Sequence, residues 1–320
     1  MKPLVLKLGG ELVEDPGRLQ GLVCAIARIA GAAATSVGVT SERSARGSSE
    51  RWSASERSGG GAPRALEKAA RTSGLGVEAH APLVIVHGGG REIDTALKAA
   101  GVEKRQVDGL RITDEVTLNV VVAVLAGVVN TRLVAALTTA GVAAVGLTGA
   151  DAGCGLSAVA PPYRTVDGQS VDLGRVGIPL DSADVRLVQT LFDSRFVPVI
   201  ASVGVDAEGR LLNVNADTFA GYLARRLGAR RLVIAGTTPG VLGADGGTLP
   251  SLDSSGIAEL VNDRAATAGM ISKLRACQQA LAGGVDDVVI VDGRDGAALE
   301  TAASGGVPKN ATRLMLSVQV

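Results

Sequence analysis

One stretch constrains the fold of this 320-residue chain more than any other: Leu83-Val84-Ile85-Val86-His87-Gly88-Gly89-Gly90. Four apolar, largely β-branched residues run into a histidine and three glycines, and an amphipathic helical pattern follows over residues 91–100. A short apolar run ending in glycine, then a helix, is the pattern of a buried parallel strand that delivers its C-terminal end to a binding site. Successive glycines have no Cβ atoms, so the backbone there can approach a ligand closely. The helix N-terminus beyond them presents unpaired N–H groups and partial positive charge, suited to phosphate or carboxylate. A plain glycine-rich turn would read the same, so the other strand ends must decide.

A second such run stands at residues 3–8 (PLVLKL), followed by Gly9-Gly10 and an amphipathic pattern over residues 16–32. Lys7 lies one residue from the end of that strand. A lysine inside a buried strand is costly unless its charge is paired or meets an anion. The alternative is an edge-strand lysine reaching solvent, and the neighbouring glycine pair favours the binding role.

The rest of the chain alternates in the same way. Residues 102–113 read as a β-hairpin turning at Asp108-Gly109, with Arg111 on the return strand, and residues 116–140 as a long, largely buried helix broken near Gly127 and Asn130. Residues 142–147 read as a strand, and 163–176 as a polar hairpin around Asp167-Gly168. Further on come a helix at 184–193, a strand at 197–200, a hairpin at 206–215, a helix at 217–227 and a strand at 231–235. A glycine- and threonine-rich loop (236–247) leads on to a helix at 270–282 with Lys273 in its first turn, a strand at 286–291 and a closing edge strand at 313–318. Strands alternating with helices predict an α/β fold: a mainly parallel open sheet between helical layers. Two lobes are expected, residues 1–185 and 186–320. Residues 35–75 interrupt the first. Their Ser, Arg, Glu and Gly, around the single Trp52, cannot bury enough apolar surface to offset ordering entropy, which predicts a disordered insertion.

Composition narrows the function class. Thirty-two basic residues balance 32 acidic ones, and aromatics are 2% of the chain, so neither the field nor the stacking surface for nucleic acid is present. Cys24, Cys154 and Cys277 are far apart and in no metal spacing, which suggests reduced thiols in the cytoplasm. Met1-Lys2-Pro3 leads straight into a strand, so no signal peptide is expected, and no apolar run of spanning length is free of glycine and charge. With only His80 and His87, a histidine metal site is not expected.

Strand ends and helix starts thus offer two lysines (Lys7, Lys273), glycine loops at 9–10 and 88–90, Arg111, and the run Asn213-x-Asn215-x-Asp217. No G-x-x-x-x-G-K-[ST], G-x-S-x-G, H-E-x-x-H or G-x-G-x-x-G is present. Positive charge and backbone-lined loops without an evident nucleophile point to phosphoryl transfer, in which positioning and charge neutralisation dominate catalysis.

The motifs KLGG (7–10), PLVIVHGGG (82–90), GLRIT (109–113), AAVGL (143–147), DLGRVG (172–177), SVGVDAEGRLLNVNAD (202–217) and GMISK (269–273) together resemble the amino acid kinase family. Within it they resemble the short type, found in enteric bacteria, that acts on N-acetyl-L-glutamate. The resemblance spans nearly everything but the insertion. It implies that ATP, carrying Mg²⁺, phosphorylates the side-chain carboxylate of that acceptor to an acyl phosphate in arginine biosynthesis, in a homodimer. It also implies the roles. Lys7 would meet the transferring phosphoryl group, Lys273 the leaving phosphate, and Asp217 would hold both lysines. Gly89, Gly90, Arg111 and Asn213 would bind the acceptor, with Arg111 on its α-carboxylate. Gly9, Gly10, Thr237, Thr238, Pro239, Gly240, Val241 and Leu242, with Ala265, Ala266 and Thr267, would bind the nucleotide. The chain departs from the family pattern at Thr237, usually acidic, at Ala268, usually aspartate, and at Ala311, usually glycine. Other acceptors, N-acetyl-aminoadipate or N-succinylglutamate, and a non-catalytic nucleotide-binding regulator remain open alternatives.

Overall fold

Buried β-branched and leucine-rich runs make the centre of the molecule. The computed structural model describes residues 1–32, 82–165, 168–262 and 268–316. The expected insertion with Trp52, Asp167, Ala265–Thr267 and the last four residues lie outside the described residues. The described residues belong to one compact unit.

Its strands are β1 (Leu4–Leu8), β2 (Leu83–His87), β3 (Gln106–Val107), β4 (Leu110–Arg111), β5 (Ala144–Thr148), β6 (Ser157–Val159), β7 (Tyr163–Arg164) and β8 (Ser170–Val171). They continue with β9 (Val176–Pro179), β10 (Val197–Ala201), β11 (Val203–Val205), β12 (Leu211–Val214), β13 (Arg231–Gly236), β14 (Ser251–Leu252), β15 (Val288–Asp292) and β16 (Thr312–Leu314). The helices are α1 (Gly10–Val13), α2 (Pro16–Ile29), α3 (Gly90–Ala99), α4 (Glu115–Val122), α5 (Asn130–Thr139), α6 (Arg186–Asp193), α7 (Ala216–Arg226), α8 (Ser254–Asn262), α9 (Ala268–Ala282) and α10 (Gly296–Ser304).

Eight strands form the main sheet in the order β14-β16-β15-β13-β1-β2-β10-β5. All neighbours are parallel except β15 and β16. The expected α/β class is therefore what the chain adopts. Strand alternation divides the core. Leu4, Leu6 and Leu8 face a layer with Leu22, Ile26, Leu133 and Leu299, whereas Val5 faces one with Phe219, Leu223, Leu274 and Cys277. Lys7 shares the parity of Val5, so the pleat aims it towards α7 and α9. From β1 the sheet grows one way through β2 and the other way through β13 and β15, and ligands in open α/β sheets bind beyond the strand ends where the order reverses.

Local chemistry fixes several boundaries. Asp15 caps α2, its carboxylate accepting from the Arg18 amide at 2.8 Å, with Pro16 at the first helical position. Asp114 caps α4 in the same way through the Thr117 amide, at 2.8 Å. The β3–β4 hairpin turns at Asp108 and Gly109, both left-handed (φ 46° and 77°), the backbone a tight primed turn needs.

Some boundaries differ from the sequence expectation. The 116–140 helix is not broken. Residues Ala123–Val129 widen into a π-helix and the chain runs on into α5. Nor is it largely buried, since Val116 and Val128 are 58% and 57% exposed. Glu115–Thr139 is, among the described residues, the one helical stretch long and apolar enough to cross a membrane, but Leu118, Val121, Leu125, Val129 and Leu133 pack into the core. α6 begins at Arg186, because Asp184 accepts from the Arg186 amide at 2.9 Å and holds the preceding residues in a turn. α9 begins at Ala268, which puts Lys273 in its second turn. β16 is an inner strand, between β15 and β14, and not an edge.

Candidate active site

At the C-terminal ends of β1, β2 and β13 lies a cleft of about 480 Å³. It gathers Lys7, Gly9, Gly10, Gly89, Gly90, Arg111, Asn213, Asp217, Thr237, Thr238 and Lys273, all singled out by the sequence. Pro239, Gly240, Val241 and Leu242 do not line it. Val241 is buried in the core, and its amide donates to Thr312 Oγ1 at 2.8 Å. Thr312 in turn donates to the Leu249 carbonyl at 2.6 Å. The Ala311-Thr312-Arg313 segment thus anchors the loop from below.

The charged centre is a carboxylate between two ammonium groups. Asp217 Oδ1 lies 2.8 Å from Lys7 Nζ and 3.3 Å from Lys273 Nζ. Asn215 accepts from the backbone N–H groups of Asp217 and Thr218, at 2.9 and 3.1 Å, and so starts α7 with Asp217 in its first turn. Burial alone would raise the Asp217 pKa, but Lys7 and Lys273 outweigh it and hold the carboxyl at about 2. Burial is the main influence on Lys7 and lowers its pKa despite Asp217. At Lys273 burial again opposes the charge, yet Asp217 prevails and the pKa is raised. Two cations share one anion, so the group carries a net positive charge on side chains that are largely shielded from water at the base of the cleft.

The floor is backbone. A Cβ on Gly10 would lie 2.8 Å from Gly89 Cα, so the loops after β1 and β2 touch without side chains between them. The β2 end is held by His87, fully buried, whose Nδ1 donates to the Gly88 carbonyl at 3.2 Å. His87 Nε2 then accepts from Asn130 Nδ2 at 3.0 Å, and Asn130 also donates to the Val199 carbonyl at 2.9 Å. Burial lowers the His87 pKa to about 4, so the ring is neutral. The π-helical widening just before Asn130 precedes its turn inward, a role with no local sequence signal beyond the break near Gly127.

On the wall opposite the lysines, Arg111 is 9% exposed. Its Nη2 donates to Asp94 Oδ1 at 2.5 Å, while its buried Nη1 has no protein partner. A guanidinium with one arm anchored and the other unpaired is placed for a carboxylate. Asn213 Nδ2 donates to Thr113 Oγ1 at 3.0 Å beside it. Glu11, Gly88, Ser202 and Asn215 also line the cleft and were not singled out as ligand contacts. Asn215 was visible in the Asn-x-Asn-x-Asp run, whereas Glu11 and Ser202 carry no motif. Among the described residues no group of three or more His, Cys, Asp or Glu side chains is arranged for a metal ion.

The sequence pattern of the amino acid kinase family matches residues 2–292. This chain belongs to the amino acid kinase family. Among curated members of the family, the chain is 42% identical over 220 residues to the acetylglutamate kinase of Novosphingobium aromaticivorans, covering 66% of this chain and 72% of that protein. It is 44% identical over 215 residues to the acetylglutamate kinase of Zymomonas mobilis, covering 66% and 71%. Solved structures at lower identity share the fold. N-acetylglutamate synthase from Neisseria gonorrhoeae superposes with TM-score 0.70 at 21% identity over 99% of this chain and 60% of that one. Giardia carbamate kinase superposes with TM-score 0.59 at 14% identity over 99% of both.

Proposed function

We propose that this chain transfers the γ-phosphoryl group of ATP to the side-chain carboxylate of N-acetyl-L-glutamate, the acyl-phosphate-forming step of arginine biosynthesis. The observation that carries this is the Lys7–Asp217–Lys273 cluster set across one glycine-floored cleft from the half-paired Arg111. The likeness to the acetylglutamate kinases named above supports the choice of acceptor.

The chemistry follows from the charges. Arg111 Nη1 pairs with the α-carboxylate of the acceptor, with Asn213 and the Gly89-Gly90 backbone beside it. The side-chain carboxylate is already ionised near neutral pH, so no general base is required. Its oxygen attacks the γ-phosphorus as the bond to the β-phosphate oxygen breaks, giving acyl phosphate and ADP. Lys7 and the Gly10 backbone neutralise charge on the transferring group, and Lys273 does so on the departing phosphate. Asp217 keeps the two ammonium groups from repelling each other apart. Gly9, Thr237 and Thr238 line the nucleotide side. Mg²⁺ would accompany the ATP phosphates, since Asp217 is already paired with two lysines and among the described residues no group of carboxylates is arranged to hold a metal.

Residues 1–185 supply most of the acceptor contacts and residues 186–320 most of the nucleotide contacts, with Asn213 crossing to the acceptor side and Gly9 and Gly10 to the phosphate side. The exposed Val128, on the π-helical stretch that packs against the outer strand β5, marks the surface on which a second copy pairs to form a homodimer, with the exposed Val116 on the same long helix. Three unpaired cysteines accord with a reducing cytoplasm.

An ATP-dependent hydroxamate assay for acyl phosphate tests the reading. N-acetylglutamate should give product. Product only with N-acetyl-aminoadipate or N-succinylglutamate would reassign the acceptor, and none with any of them would leave a nucleotide-binding regulator.

A further inference from the structure

Glu11 lines the catalytic cleft and has no part in the chemistry above. Among the described residues the cleft has two carboxylates, Asp217 and Glu11. Asp217 is taken by Lys7 and Lys273, whereas Glu11 forms no ion pair with any described residue. Its position is well defined. A Cβ on Gly9 would lie 2.9 Å from Glu11 Oε2, 3.4 Å from the Ala235 carbonyl oxygen and 3.6 Å from Gly236 Cα. The bare Gly9 backbone thus leaves room for the carboxylate near the end of β13, where Thr237 and Thr238 line the nucleotide side of the cleft. The neighbouring Gly10 faces the other loop, at Gly89.

Glu11 therefore stands on the side of the phosphates and carries the charge that repels them. When ionised, Lys7 and Lys273 balance Asp217 and Glu11, so these four side chains together offer a metal-free polyphosphate no net charge. A carboxylate in that place is favourable when a cation arrives with the phosphates. The donor set fits magnesium, which keeps several waters and takes one or two carboxylates beside substrate phosphates. We propose that Glu11 makes this site select metal-bound over metal-free ATP, its carboxylate facing the Mg²⁺ that the phosphates carry. Selection of this kind works by repulsion of the wrong form as much as by attraction of the right one. It rests on the ATP reading above.

Glu11→Gln removes the charge and keeps the shape of the side chain. Calorimetric titration with ATP, without acceptor, in excess MgCl₂ and again in EDTA, reads both forms of the nucleotide. The wild-type chain should bind the metal-bound form more tightly. In Glu11→Gln the Kd for metal-bound ATP should rise about fivefold, and that for metal-free ATP should fall about fivefold. Glu11→Asp, which keeps the charge, should retain a preference for the metal-bound form. A glutamate with only a structural role cannot shift the two constants in opposite directions. Constants that move together or stay put, or a lower melting temperature with their ratio unchanged, would overturn the proposal. So would a wild-type chain that binds both forms equally, and that result leaves the nucleotide reading intact. A wild-type chain that binds neither form overturns the nucleotide reading and the role of Glu11 with it.

Discussion

Gly10 and Gly89 meet backbone to backbone: a Cβ on Gly10 would stand 2.8 Å from Gly89 Cα and 3.1 Å from the Gly90 amide nitrogen. No side chain fits there without parting the two loops that carry the reacting groups. Gly10→Ala should therefore keep the fold, since the sheet below is untouched, and lower kcat/KM about 100-fold through misplacement of the phosphoryl group. Steady-state kinetics beside a circular dichroism spectrum checks it. Near-normal kcat/KM would mean that the loops can separate without cost.

Lys7 and Lys273 share Asp217 but not their roles. Lys7→Ala and Lys273→Ala should each reduce kcat by at least about 100-fold, because each removes a charge aimed at the transition state. Both variants should still bind N-acetylglutamate, which rests on Arg111. Calorimetric titration with the acceptor separates the two effects, and a lysine variant with ordinary turnover would refute the assignment.

His87 makes stability depend on pH. Its folded pKa, about 4, is below the ordinary 6.5. The unfolded chain therefore binds the proton more readily. The stabilisation is complete above the unfolded value, is lost as pH falls from there towards 4, and amounts to on the order of 3 kcal/mol. Urea unfolding at pH 7, 5.5 and 4.5 should show a falling midpoint. His87→Gln, which keeps an acceptor for Asn130, should flatten the trend over that range. An equal slope in both proteins would assign the acid sensitivity elsewhere.

Val128 lies 57% exposed on the π-helical stretch that packs against β5. Val128→Asp should convert a dimer into a monomer on size-exclusion chromatography with light scattering, at little cost to the monomer fold because the side chain is more than half exposed. A wild-type monomer, or a variant that stays dimeric, would place the pairing surface elsewhere.

Much of the site is legible in the sequence. The glycine runs at 9–10 and 88–90, the buried Lys7 and the Asn213-x-Asn215-x-Asp217 cap are local patterns, and the cleft contains all of them. The packing of the 236–247 loop is not. Val241 reads as a loop residue in a glycine-rich context, yet Thr312, far along the chain, draws its amide into the core at 2.8 Å. The widened turn that precedes Asn130 was equally hidden, since a π-helix and a broken helix leave the same trace around a glycine.

The sequence by itself determined the alternation of strands and helices and the glycine loops that end β1 and β2, because burial periodicity and the absence of Cβ atoms are properties of neighbouring residues. Only the tertiary structure decided which charges meet. Lys7 and Lys273 come to one carboxylate because β1 lies between β2 and β13 and its pleat turns Lys7 towards α7 and α9. Strand order is set by the packing of both helical layers at once, so no local stretch of the chain encodes it.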